Sequence, residues 1–464
     1  MRKLFSSLRP EVVALLILIG FEVYLIASSE GFYYIDEGAH FVDDYLAFRH
    51  PSISMGVWQR FGSVWIFMVP AQFGPVAVKI FASLLFLLTI FITYKVAELE
   101  QLPFKEWIIV LVGFQPVFLD ISFTCLAELP ATFFLVLAYY FYKKSSWRLS
   151  LSFASLVFLC RYEMSFLAIL LFLIAYRRRK YYALPYAVIG PALWFGMSWI
   201  WTGDPTWLVT QFVNFGNIPK FIEGTTWYHY LKHSTDIFGT IQVWLVVASL
   251  LFAVYKRRMT IAIPLAIVLW SVLFNTLASA KSVNWTPSVG DFRYLVTVAP
   301  FVGLLALDGL SGIMELLRQI QFARAVPSVL ALIMIYSTIN AVHPHHLSTF
   351  ENAVIVLTQR AGADSTNVPI LSNHWASQFA LMDKDDEIDR IEVLRKQTYL
   401  ENPREYILWD SQIANSVFSQ LALAMEDVKN DPNTTLVDSI NVGYGSVYLF
   451  RRAADEGNQA GTIR

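Results

Sequence analysis

Apolar runs of about 17 to 25 residues recur as far as residue 341, and a helix of that length is what crosses a hydrocarbon core of ~30 Å. Inside a bilayer no water satisfies backbone N–H and C=O groups, so such runs have to be helical. Spans read near 11–28, 76–94, 107–124, 129–142, 148–160, 164–176, 183–201, 238–255, 260–278, 295–315 and 325–341, several of them shorter than that length or interrupted by proline. With 56% hydrophobic and 15% charged residues over 464 positions, the chain lacks the polar surface that a soluble globule of this size needs.

The Lys and Arg residues give an independent orientation, because short cytoplasmic loops are enriched in them. With the N-terminus (Arg2, Lys3, Arg9) inside, seventeen of these cations fall in inside segments. Seven fall in the outside loops before residue 342. The first run is read as a retained span, not as a cleaved leader, since YYIDEG follows it without a small-residue cleavage site.

After residue 342 short apolar runs (VPIL, YILW, SVYLF) alternate with helix-like segments at 348–361 and 411–428. The fold class that follows is an α-helical polytopic membrane protein of about eleven transmembrane helices over residues 1–341. A small extracytoplasmic α/β domain with a disordered tail occupies residues 342–464. Cys125 and Cys160 lie at membrane ends and make no disulfide framework, and the net charge of -1 gives no reason to expect a nucleic-acid partner.

Ionisable groups at a membrane edge are costly, so their positions inform. On the outer side they gather. Asp36 and Glu37 follow the first span; Asp120 and Glu128 flank the third-to-fourth turn. Arg161 and Glu163 lie between the fifth and sixth spans, and Asp291 and Arg293 precede the tenth. Each has a plainer reading. Asp36 or Glu37 can cap the following helix, Glu128 can face the helix dipole, and Arg161 and Glu163 can pair with each other and serve only the fold. Asp43 and Asp44 are expected on an exposed helix face. His40 lies four residues after Asp36 and three after Glu37, on one helical face, but the spacing does not guarantee enough ligands for a metal cage. Glu22, inside the first span, is read as a buried polar contact or a group facing a water cavity, not as a catalyst.

In order along the chain, DEGAHF, LAELP, CRYEM, GDP at 203–205 and FRYLVTVAP, then a soluble outer domain, resemble the GT-C superfamily of polytopic glycosyltransferases, of the protein mannosyltransferase and aminoarabinose transferase kind. No WWDYG-like stretch of the oligosaccharyltransferase branch is present. The resemblance implies a catalytic acid in the first outer loop, which maps onto Asp36 with Glu37 beside it, and a second-loop acid at Glu128. It implies a polyprenyl-phosphate-linked sugar as donor and a glycan, lipid or protein hydroxyl as acceptor. Arg293, then Lys281, Arg60 and Arg161, are the cations expected at the donor phosphate; His40, Asp120, Glu163 and Tyr294 are further candidates. No cofactor is required, although a divalent cation is compatible with the scheme, and no metal ligands are assigned. A bacterial inner membrane is expected in preference to the endoplasmic reticulum. A transporter or flippase, or a noncatalytic scaffold of the same fold, is the alternative. Transporters, however, bind near the midplane on broken helices in repeated halves, whereas these acids sit at one edge and no repeat is visible.

Overall fold

A computed structural model describes residues 10–216, 228–256, 261–279, 291–319, 325–363, 368–372, 374–382, 391–392, 405–411, 425–442 and 445–453. The chain divides into two compact units, one of Met1–Ser29 with Asp43–Pro344, the other of Glu30–Val42 with His345–Arg464.

The first unit is a helical bundle, and the protein is an integral membrane protein. Four of its described helical stretches are long and apolar enough to span a bilayer: Glu11–Ser28, Pro75–Leu99, Tyr181–Thr202 and Phe292–Leu317. Shorter apolar helices include Trp147–Cys160, Thr240–Lys256 and Val326–Ile339, as well as Phe61–Ala71, which lies outside all the expected spans. The run expected to cross as 107–124 is broken. It forms Ile108–Gly113 and Pro116–Asp120, because proline supplies no N–H and disfavours helix at the residue before it. The freed carbonyls are met laterally. Thr338 Oγ1 donates to Phe114 O at 2.7 Å, while Gln115 Nε2 donates to Leu111 O at 2.9 Å and Ala299 O at 2.8 Å. That is how irregular backbone survives within a bundle.

Packing rests on small residues. A Cβ on Gly309 would stand 1.9 Å from Leu245 O, and one on Gly190 would stand 2.0 Å from Ser155 O, so these helices touch backbone to backbone. Glu22 is buried as expected, within 2.5 Å of Ser122 Oγ. Both cysteines are buried and free.

The second unit holds a five-stranded mixed sheet, β2-β1-β3-β5-β4, of β1 (Ile370–Ser372), β2 (Ile391–Glu392), β3 (Glu405–Asp410), β4 (Thr434–Val442) and β5 (Gly445–Arg452). β1 is parallel to β2 and β3, and β5 is antiparallel to β3 and β4. Its core joins Leu371, Ile407, Val428 and Phe450. The expected helix at 348–361 is Thr349–Gly362, begun by a capping box in which Ser348 Oγ accepts from Glu351 N and Glu351 accepts from Ser348 N. Of the helix expected at 411–428, Met425–Lys429 is helical and 412–424 lies outside the described residues, as does the tail beyond residue 453.

Candidate functional site

Four span ends in the bundle converge on a buried cluster of opposite charges. Glu128 opens the Glu128–Lys143 helix, and Arg161 and Glu163 lie in the turn after Trp147–Cys160. Arg60 stands before Phe61–Ala71, and Asp291 and Arg293 stand at the start of Phe292–Leu317. Arg161 Nη1 donates to Glu128 Oε1 at 2.7 Å, and its Nε pairs with Glu163. Arg293 Nε lies 3.0 Å from Asp291 Oδ2 and 3.8 Å from Glu128 Oε1, and Asp291 Oδ1 also accepts from Arg293 N at 3.0 Å. Arg60 Nη1 is 3.7 Å from Glu163 Oε2. Two tyrosine rings complete the cluster. Arg60 lies over Tyr162 at 4.6 Å; Arg161 lies over Tyr294 at 4.6 Å and Arg293 at 5.5 Å.

Three guanidiniums (Arg60, Arg161, Arg293) thus face three carboxylates (Glu128, Glu163, Asp291), so this set is close to neutral. Burial pushes the Glu128 carboxyl up, but the Arg161 and Arg293 guanidiniums outweigh it and hold Glu128 below its ordinary range. A carboxylate stabilised in this way is a weak proton acceptor. Glu128 is therefore better suited to fixing two arginines than to deprotonating a substrate. Arg161 and Glu163 pair, as the plainer reading of the sequence has it, but they also reach Glu128 and Arg60, so they form part of a network. Arg60 adopts φ 64°, a left-handed conformation uncommon for an L residue and typical of positions held by their surroundings.

Asp36, Glu37 and His40 belong to the other unit. They lie on the Tyr34–Ala47 helix, with Asp36 half-buried and Glu37 and His40 buried. The Glu37 carboxylate accepts from Tyr33 N, a helix-start contact of the capping kind. This occupies one acid of the pair with local structure. Asp120 ends the Pro116–Asp120 helix, half-buried. Lys281 lies outside the described residues. Among the described residues no group of three or more His, Cys, Asp or Glu is placed to hold a metal ion.

The expectation that Asp43 and Asp44 face solvent is overturned. Asp44 is buried at 1% exposure, and although Asp43 is half-buried as a residue, its carboxyl is enclosed. Burial, offset in part by a hydrogen bond with Gln59, pushes Asp43 up to about 7. The folded state then holds a proton that the unfolded chain releases near its ordinary value of 3.8. Stability is therefore expected to fall as pH rises from about 4 to about 7, and Asp43→Asn should flatten that slope in thermal melts of the detergent-solubilised protein.

Lys79 was not singled out by sequence reasoning. It is buried in the Pro75–Leu99 helix with its Nζ donating to Ser29 O at 2.8 Å. A lone lysine inside an apolar run was the available signal. In the GDP segment, Gly203 at φ 72° ends the Ile189–Thr202 helix and Asp204 Oδ1 accepts from Thr206 N at 2.7 Å, which makes a structural turn.

No protein family matches the chain by sequence, and no curated protein does. Two solved structures match its fold. The crystal structure of ArnT from Cupriavidus metallidurans in the apo state superposes with a TM-score of 0.62 at 10% identity, over 95% of this chain and 96% of that one. The same protein bound to undecaprenyl phosphate gives 0.56 at 9% identity, over the same shares. The chain therefore has the polytopic fold of ArnT, the architecture that its resemblance to the GT-C superfamily implies.

Proposed function

We propose that the protein is an inverting glycosyltransferase that moves a sugar from a polyprenyl-phosphate donor to an acceptor hydroxyl on the extracytoplasmic side of the membrane. The observation that carries this reading is the fold likeness over 95% of the chain to a protein solved with undecaprenyl phosphate bound. The buried arginines add chemistry suited to a lipid phosphate. Guanidiniums ordered by carboxylates and tyrosine rings can trade part of their pairing for phosphate oxygens without reorganising.

In the proposed reaction the acceptor oxygen attacks the anomeric carbon as its proton passes to Asp36. The bond to the phosphate oxygen breaks, leaving polyprenyl phosphate. The leaving group is already ionised, so no general acid is needed, and one displacement inverts the anomeric centre. Asp36 is the position that the resemblance makes the base, with Glu37 beside it, and it is preferred to Glu128, which two arginines hold ionised.

Arg293 is the first cation assigned to the departing phosphate. Charge on that phosphate grows in the transition state, so Arg293→Ala is expected to lower turnover more than it weakens donor binding. Single-turnover rates set beside retention of the polyprenyl-phosphate-sugar donor lipid by native mass spectrometry will separate the two; unchanged turnover would remove Arg293 from this role. The proposed sidedness has its own check. A reporter fused after residue 345 should lie outside the cytoplasm and one after Arg258 inside, and protection of both from the same side would overturn the orientation.

A further inference from the structure

We propose that Trp375 of the sheet-bearing unit is a positioning residue for the Asp36 segment, acting by direct contact with Gly38. This inference rests on the reading of Asp36 as the base. Glu30–Val42 packs with the unit formed by His345–Arg464. Gly31 N donates to His345 O at 2.9 Å, and a Cβ on Gly31 would stand 2.2 Å from the carbonyl carbon of His346. Just past the Asp36–Glu37 pair, a Cβ on Gly38 would stand 2.4, 2.5 and 2.6 Å from three atoms of the Trp375 indole, so the ring lies on the bare helix backbone. Phe32 meets Trp375 edge-on at 5.1 Å and Phe379 at 5.4 Å, and Phe41 lies 5.2 Å from Phe32 and 6.1 Å from Phe379. Aromatic contacts therefore grip the segment before and after Asp36.

The indole is itself held from β1. Ser372 Oγ, at the end of that strand, accepts from His374 N at 3.2 Å and lies 2.7 Å from Ser377 Oγ, while His374 Nδ1 accepts from Ala376 N at 3.2 Å. Trp375 Nε1 is buried without a hydrogen-bond partner among the described residues, so the ring serves there by its shape. Asp36 and Gly38 are two residues apart on one helix, which turns them about 200° from each other. Trp375 presses on the face away from Asp36. It sets the height and rotation of the helix without blocking the carboxylate.

Alanine is a better helix former than glycine, so propensity alone would have Gly38→Ala stabilise the helix. Against the indole the same substitution must displace it. Gly38→Ala is expected to lower kcat by about 10²-fold, the usual cost of a misplacement of ~1 Å, with little change in the donor KM. Adding Trp375→Ala to that variant clears the space and should return at least a tenth of the lost rate, a suppression that loss of general stability would not produce. The assay is release of free polyprenyl phosphate by the purified full chain from a lipid extract of the source membranes supplemented with their delipidated remainder, so that donor and acceptor are both present. Amide exchange across 34–47 is read in parallel and should quicken in Trp375→Ala. Wild-type kcat and unchanged exchange in Gly38→Ala, or no suppression in the double variant, would overturn the inference. Altered exchange in variants whose kcat does not move would uphold the positioning and remove Asp36 from the chemistry.

Discussion

Asp36→Asn is expected to cut sugar transfer by about 10² to 10⁴, the usual worth of general-base assistance, while leaving the protein folded. Asp36 lies within the first turn of the Tyr34–Ala47 helix, and the amide keeps the size and shape of its carboxylate, so a loss of rate without a loss of melting temperature isolates the proton-accepting role. Glu37→Gln and Glu128→Gln should lose less. The carboxylate of Glu37 accepts from Tyr33 N, and Glu128 is held ionised by Arg161 and Arg293. The measurement is transfer from a panel of radiolabelled undecaprenyl-phosphate-linked hexoses and pentoses by each purified variant. Full activity in Asp36→Asn beside loss in Glu37→Gln would move the base by one residue.

The second large effect falls on stability. Arg161 is buried and pairs with both Glu128 and Glu163, so Arg161→Ala takes the nearest cation from both carboxylates and leaves, among the described residues, Arg293 at 3.8 Å from Glu128 and Arg60 at 3.7 Å from Glu163. Breaking a buried pair from one side typically costs about 3–5 kcal/mol. A marked drop in the melting midpoint in detergent is therefore expected, with part of it recovered when Glu128→Gln is added, because the amide carries no charge to strand. An unchanged midpoint would mean that the network does not hold the span ends together.

The helical frame was legible because apolar runs of spanning length have few other fates, and helices form over nearly every expected span. Pro116 was a visible warning that 107–124 would break, but the partners of the freed carbonyls, Thr338 and Gln115, become evident only from packing. In the sheet, β3 and β5 were readable as apolar runs. β4 was not, since TTLVDSINV is a polar, mostly exposed edge strand with a bulge between Leu436 and Asp438.

At the site, ionisable residues at the ends of apolar runs pointed to Glu128, Arg161, Glu163 and Arg293, and the structure gathers them. Their pairing was beyond the sequence, because each partner comes from a different span end and the distances are set by helix packing. The same holds for Asp44, where a helix-face argument predicted solvent and tertiary contact buried the group. It holds most of all for 30–42, whose contacts with Trp375 and Phe379 join residues far apart in the chain.

The chemistry itself can be tested without knowing the sugar. Purified protein is incubated with the polyprenyl-phosphate-sugar lipids extracted from the source membranes together with the delipidated remainder and the other lipids of those membranes as the acceptor pool, and free polyprenyl phosphate is quantified by mass spectrometry over time. With Asp36 as the base of a glycosyltransferase, the wild-type chain releases it and Asp36→Asn does not. A flippase or a scaffold leaves the lipid unchanged, and no release above a protein-free control, or equal release by both chains, would contradict the assignment.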